Sequence, residues 1–182
     1  MIERIAKLTQ PVLEWPMIRR TRRNHGLEHA TIHLLANRVK GVRMAGRSSD
    51  SGFIILGDVP TEMVESAARD ALRRMRAGEH KLALHPNCGT NLVTAGGLTT
   101  LVALAGLRNT NNKSVMDRLP LVMTFMMLAV MFSQPLGMSL QQHFTTEGDP
   151  GDLEIVAVTR RKMRLPFSGQ PLVVHQVATR SG

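Results

Sequence analysis

Three histidines and a glutamate share the short stretch "NHGLEHATIH", residues 24–33. Positions four apart nearly eclipse on an α-helix, so His25, His29 and His33 would form one stripe with Glu28 beside it. Three stacked imidazoles are hard to account for as ordinary core or surface, and they are well suited to hold a cation. A second group stands in "HPNCGTN", residues 85–91. There His85 and Cys88 lie three apart across a proline turn, a spacing that presents two donors to one metal. A lone cysteine is more often an inert small side chain, and a lone histidine a hydrogen-bonded one. Two such residues at ligand spacing, in a chain that already offers a histidine pair, point to a shared ion.

Zinc is the expected ion, because imidazole and thiolate suit it and a d¹⁰ cation tolerates whatever tetrahedron the fold supplies. Four ligands, His25, His29, His85 and Cys88, would close the shell. Three would leave a place for water, and Glu28 would then serve as the catalytic base, as in the inverted His-x-x-Glu-His metallopeptidases. The residues alone leave both arrangements open. His33, one turn further on, reads as a packing or outer-shell histidine, while Asn24, Asn87 and Thr90 are expected to orient the ligands by hydrogen bonds.

The elements that must carry these groups divide between a polar part and an apolar part. "HGLEHATIHLLANRV" reads as a helix closed by Gly41, "GFIILG" as a strand, and "PTEMVESAARDALRRMRAG" as a helix with acids in its first turn and arginines in its last. "KLALH" alternates like a second strand, and "LEIVAVTRR" with "PLVVHQVATR" reads as a hairpin turning at "PFSGQ". From Leu119 through Gln142 there is no Asp, Glu, Lys or Arg, enough chain for a membrane span, and Pro86 through Leu107 is also uncharged. Pro120 suits a first helical turn and Pro135 a kink or an end. Ala95, Thr99 and Ala103 give the upstream segment a stripe of small residues for close packing in lipid. The expected fold class is α+β, a small cytoplasmic α-β-α-β plus β-hairpin domain interrupted by a two-helix transmembrane hairpin. The expected divisions are a basic interfacial anchor at 1–23, the α/β part with the metal motifs at 24–86, the helix hairpin at 87–142 and the closing β-hairpin at 143–182.

The chain of 182 residues carries a net charge of +9 with a pI near 11.2, so its natural surroundings are expected to be negative. Aromatics make up only 3% with no Tyr, poor equipment for stacking on bases, so nucleic acid is not an expected partner. One cysteine excludes an internal disulfide, and no signal-peptide pattern opens the chain. The stretch "MIERIAKLTQPVLEWPMIRRTRR" combines apolar residues with a closing run of four arginines, which suits a bilayer with anionic headgroups. Fifteen Lys and Arg residues precede the apolar pair and five follow it, which predicts a multi-pass cell-membrane protein with both termini cytoplasmic. Cys88 directly precedes the first apolar segment, so the site is expected at the cytoplasmic membrane boundary, with membrane proteins as candidate partners.

"HGLEHAT" followed by "HPNCGT", with an apolar segment straight after, resembles the YqhQ family of bacterial integral membrane proteins, described as predicted metal-dependent enzymes. It also resembles a smaller uncharacterised family of domain-of-unknown-function proteins, to which the βαβ stretch between the motifs is closer. The resemblance implies a common metal-associated role for His25, Glu28, His29, His85 and Cys88. Three functions are therefore weighed. The first is a membrane-bound zinc hydrolase, peptidase-like, with Glu28 as base. The second is a non-catalytic membrane protein or accessory subunit with a structural metal, and the third, weakest, is a tethered nucleic-acid binder.

Overall fold

The computed structural model describes residues 2–108, 112–163 and 171–181. The chain forms two units, one from Met1–His85 with Gln142–Gly182, the other from Pro86–Gln141.

In the first unit, two short helices, α1 (Ile2–Leu8) and α2 (Gln10–Leu13), precede the long helix α3 (Pro16–Arg38). Pro16 occupies the first helical position, where its missing N–H costs nothing, and Val39 ends the helix by turning extended. Leu27, Ala30, Leu34 and Leu35 recur along α3 at helical spacing and are buried. They meet the stripe of α4 (Thr61–Arg76), formed by Val64, Ala67, Ala68, Ala71, Leu72 and Met75. Both helices pack against a four-stranded antiparallel sheet of β1 (Ala45–Ser49), β2 (Gly52–Leu56), β3 (Glu154–Met163) and β4 (Leu172–Arg180), in the order β1-β2-β4-β3. Phe53 and Ile55 of β2 and Val177 of β4 complete the core. The α+β class is thus observed.

Three expectations change here. β1, "AGRSS", has no apolar alternation because it is an exposed edge strand, and the sequence reading passed over it. "KLALH" is not a strand: His80–Ala83 forms a 3-10 turn. Its alternation finds no sheet edge to join, and the carbonyls of Ala83 and Leu84 turn to side chains of α3 instead. The basic anchor does not end at residue 23, since α3 runs without a break through that point. Two of its arginines are also tied down within the unit. Arg22 donates to the Thr146 carbonyl at 3.2 Å and pairs with Glu147, and Arg23 pairs with Asp152 at 2.7 Å. The turn at "PFSGQ" lies outside the described residues.

His175, at the middle of β4, is fully buried, and among the described residues neither ring nitrogen has a hydrogen-bond partner of ordinary geometry. Burial pushes its pKa down. The Arg160 guanidinium adds to this, and the backbone of Gly57 and Val59 and the Asp58 carboxylate oppose it. A histidine held below its ordinary value of about 6.5 stabilises the fold above that pH, and the contribution is lost as the pH falls further and the unfolded chain takes up the proton. His175→Leu removes the proton site and a poorly satisfied polar ring together. Thermal denaturation should show an equal or higher Tm at pH 7 and a shallower loss of Tm below pH 6.5.

The second unit is a pair of packed helices, α5 (Gly89–Gly106) and α6 (Asn112–Leu140). Both Pro120 and Pro135 lie inside α6, so neither starts nor ends it. Beyond α6 the chain makes a π-helical turn, Gln141–Thr145. Among the described residues one helix, Val115–Thr145, is long and apolar enough to cross a membrane, and almost none of it is buried. The expectation of two transmembrane helices is corrected to this one candidate. α5 spans only roughly 27 Å at 1.5 Å per residue, and Asn91, its threonines and its glycines dilute its apolar character. The multi-pass assignment with both termini cytoplasmic is not carried by one candidate span.

Candidate metal centre

α3 places His25, His29 and His33 on one face, as their spacing predicts. His85 enters from the segment after the 3-10 turn and packs against this stripe. Ring centroids are 4.4 Å apart for His25 and His29, 5.7 Å for His29 and His85, and 4.6 Å for His33 and His85. All four imidazoles belong to the first unit.

Each ring of the stripe is oriented by a backbone carbonyl. His25 Nδ1 lies 2.8 Å from the Thr145 carbonyl oxygen, His29 Nδ1 2.7 Å from that of Ala83, and His33 Nε2 2.8 Å from that of Leu84. A carbonyl only accepts, so these nitrogens carry the protons and donate. The lone pair then sits on Nε2 of His25 and His29 and on Nδ1 of His33. Metal-bound histidines are usually held this way, with the second ring nitrogen donating to a carbonyl or carboxylate. The π-helical turn supplies the carbonyl for His25, and the segment closing the 3-10 turn supplies the other two. None of these three acceptors could be read from side-chain identities.

His85 is pushed down to about pKa 4, first by burial and then by the neighbouring His33 and His29. Its ring is therefore neutral at pH 7, the form that ligates. Cys88 belongs to the second unit, where it caps α5, and its sulfur accepts the Thr90 N–H at 3.4 Å. Chain connectivity keeps the Cys88 Cα within about 11 Å of the His85 Cα. Asn91 holds the intervening turn by donating to the Pro86 carbonyl at 2.6 Å, and its Oδ1 accepts from the buried Gln141 amide at 2.9 Å. The sequence reading missed both Asn91 and Gln141, whose pairing across 50 positions only the helix hairpin creates.

Glu28, the expected base, is only 4% exposed and accepts the Ser48 hydroxyl of β1. Gly46 makes room for it, since a Cβ there would overlap the Glu28 carboxylate. Thr90 Oγ1 accepts from the Cys88 thiol at 3.6 Å. Asn24 does something else. Its amide donates to the carbonyls of Ser49 and Asp50, and its Oδ1 accepts the Thr179 hydroxyl at 2.7 Å, which ties α3 to the sheet.

Comparison with known proteins places the chain among sequences of unknown role. A family model described as a domain of unknown function, DUF6391, matches residues 20–158, which include all the candidate ligands. An uncharacterized protein of Picosynechococcus sp. is 32% identical over 139 residues, covering 69% of this chain and 65% of that protein's length. This chain therefore spans somewhat less than two thirds of that relative. No solved structure matches. An uncharacterised family is one of the two resemblances that the paired motifs carry, and the match is consistent with it, while the YqhQ resemblance is not confirmed: this chain belongs to the DUF6391 family of unknown function.

Proposed function

We propose that this chain is a membrane-anchored metal-binding protein, with His25, His29 and Cys88 as its donor set and zinc as the ion that this chemistry favours. His85 stands outside that donor group; neutral and packed against His29, it is the residue that would supply a fourth donor. The observation that carries the reading is the row of imidazoles whose ring N–H groups are each taken by a backbone carbonyl. A metal shared by a residue of α3 and the cap of α5 would contribute directly to folding. This is the role of an accessory membrane subunit, in which the ion holds the α+β domain onto the helix hairpin.

The anchor is α6, the one helix among the described residues long and apolar enough to cross a bilayer, with the shorter α5 packed against it. β2 precedes it and β4 follows it, and the two strands hydrogen-bond side by side in one sheet. In this reading the paired strands, and so both flanks of the anchor, belong to one side of the bilayer. Cytoplasmic is the orientation that the surplus of arginines favours. Exposed Ile5, Leu8, Val12, Trp15 and Met17 in the N-terminal segment give this side an apolar surface for anionic headgroups.

A hydrolase is the second reading, favoured by a buried carboxylate, Glu28, in the residue before a candidate ligand. Elemental analysis of detergent-purified protein tests the proposal. One zinc per chain is expected, with Cys88→Ser lowering the content severely and Glu28→Gln leaving it intact. A parent chain without metal refutes the reading. Turnover of a peptide or ester substrate that Glu28→Gln abolishes while zinc stays bound moves the assignment to the hydrolase.

A further inference from the structure

The second unit contains a groove unrelated to the histidines. It encloses about 500 Å³ between the C-terminal half of α5 and the start of α6, and is lined by Val102, Ala105, Leu121, Val122, Phe125 and Arg118. At its base Gly106 lets the helices approach, since a Cβ there would overlap the Val122 side chain, and Val122 is 4% exposed. The volume falls in the range of small-molecule sites, and the walls are apolar except at one point. That point is Arg118, exposed and, among the described residues, the only charged one in the lining. Arg108, also exposed, follows the C-cap of α5 and so stands at the connecting end of the helix pair. Asp117 is exposed and outside the lining.

An apolar slot with a guanidinium at one end matches an amphiphile of opposite charge. We propose that this groove holds one acyl chain of an anionic phospholipid, with the lipid phosphate against Arg118. Basic pockets between membrane helices bind anionic headgroups in this manner, and a long arginine side chain reaches the interface while its stem covers apolar surface. The proposal rests on the membrane reading above. It adds a discrete site to what would otherwise be general attraction between a basic protein and a negative surface.

The test is native mass spectrometry of the full chain in detergent, exchanged against phosphatidylglycerol and phosphatidylcholine of identical acyl chains. One phosphatidylglycerol per chain is expected to survive, preferred about fivefold over phosphatidylcholine. Arg118→Gln should erase the preference and Arg118→Lys should keep it. Ala105→Phe, which fills the slot, should remove the retained lipid while helicity by circular dichroism and zinc content stay unchanged. Equal retention of the two lipids, or an Arg118→Gln chain that still prefers phosphatidylglycerol, overturns the site. Flotation with liposomes separates this failure from the larger one: a parent chain that stays soluble without detergent and does not float refutes the membrane reading and the groove together.

Discussion

His29→Ala is expected to lower zinc affinity by at least about a hundredfold and to destabilise the apo-protein at the same time. Loss of a first ligand should exceed the 10–100-fold that loss of an outer-shell partner costs. His29 is 3% exposed and its Nδ1–H is the donor to the Ala83 carbonyl, so truncation also strands that oxygen, at a cost of about 1–3 kcal/mol. The two losses can be separated. His29→Gln keeps an N–H in reach of Ala83 and should regain much of the stability without regaining the metal. His33→Ala is the contrast, because its ring donates to Leu84 and packs on His85 without belonging to the donor set. Competition titration with a chromophoric zinc chelator reads affinity, and thermal melting with excess chelator reads stability. Equal metal loss in His33→Ala and His29→Ala would mean that the donors are wrongly assigned.

Gly26→Ala should produce a comparable disturbance from a single methyl group. A Cβ at this position would overlap the Glu147 carbonyl oxygen and stand 3.1 Å from the Ala83 Cβ. The obstacle is main chain, and it is fixed to α3 by the Glu147 N–H bond to the Arg22 carbonyl at 3.0 Å. Alanine is the better helix former by about 1 kcal/mol, but overpacking against an immobile backbone costs about 1–3 kcal/mol. The overlap should win, and each kcal/mol lost lowers Tm by about 2–4 °C in a chain of this size. The displaced segment includes Thr145, whose carbonyl orients His25, so zinc affinity should fall by about 10–100-fold as well. A Gly26→Ala chain that melts and binds zinc like the parent would show that residues 145–147 yield easily and do not position the histidine.

Periodic and local features of this fold were legible in the sequence, and long-range ones were not. α4 announced itself through its apolar stripe and its charged ends, and the histidine stripe of α3 followed from spacing alone. The α+β class followed from the alternation of such elements. β1 stayed hidden because an exposed edge strand needs no apolar face. The mistaken strand at residues 81–85 shows the converse, a period of two with no neighbour to pair with. Of the site, the ring-bearing residues were visible but not what holds them. Thr145, Ala83 and Leu84 act through carbonyls, which every residue has, so no residue type marks them. Asn24 was misjudged for a related reason: its place beside His25 suggested a ligand's helper, while the helix turns it toward the sheet.

The order of the strands bears on how the molecule is made. β4, the last strand in the chain, lies between β2 and β3, so β2 waits on the order of a hundred residues of synthesis for its neighbour. During that interval the bare flank of Phe53 and Ile55 is a template for any extended peptide nearby. Biogenesis of this protein should accordingly depend on a chaperone more than its final stability would suggest.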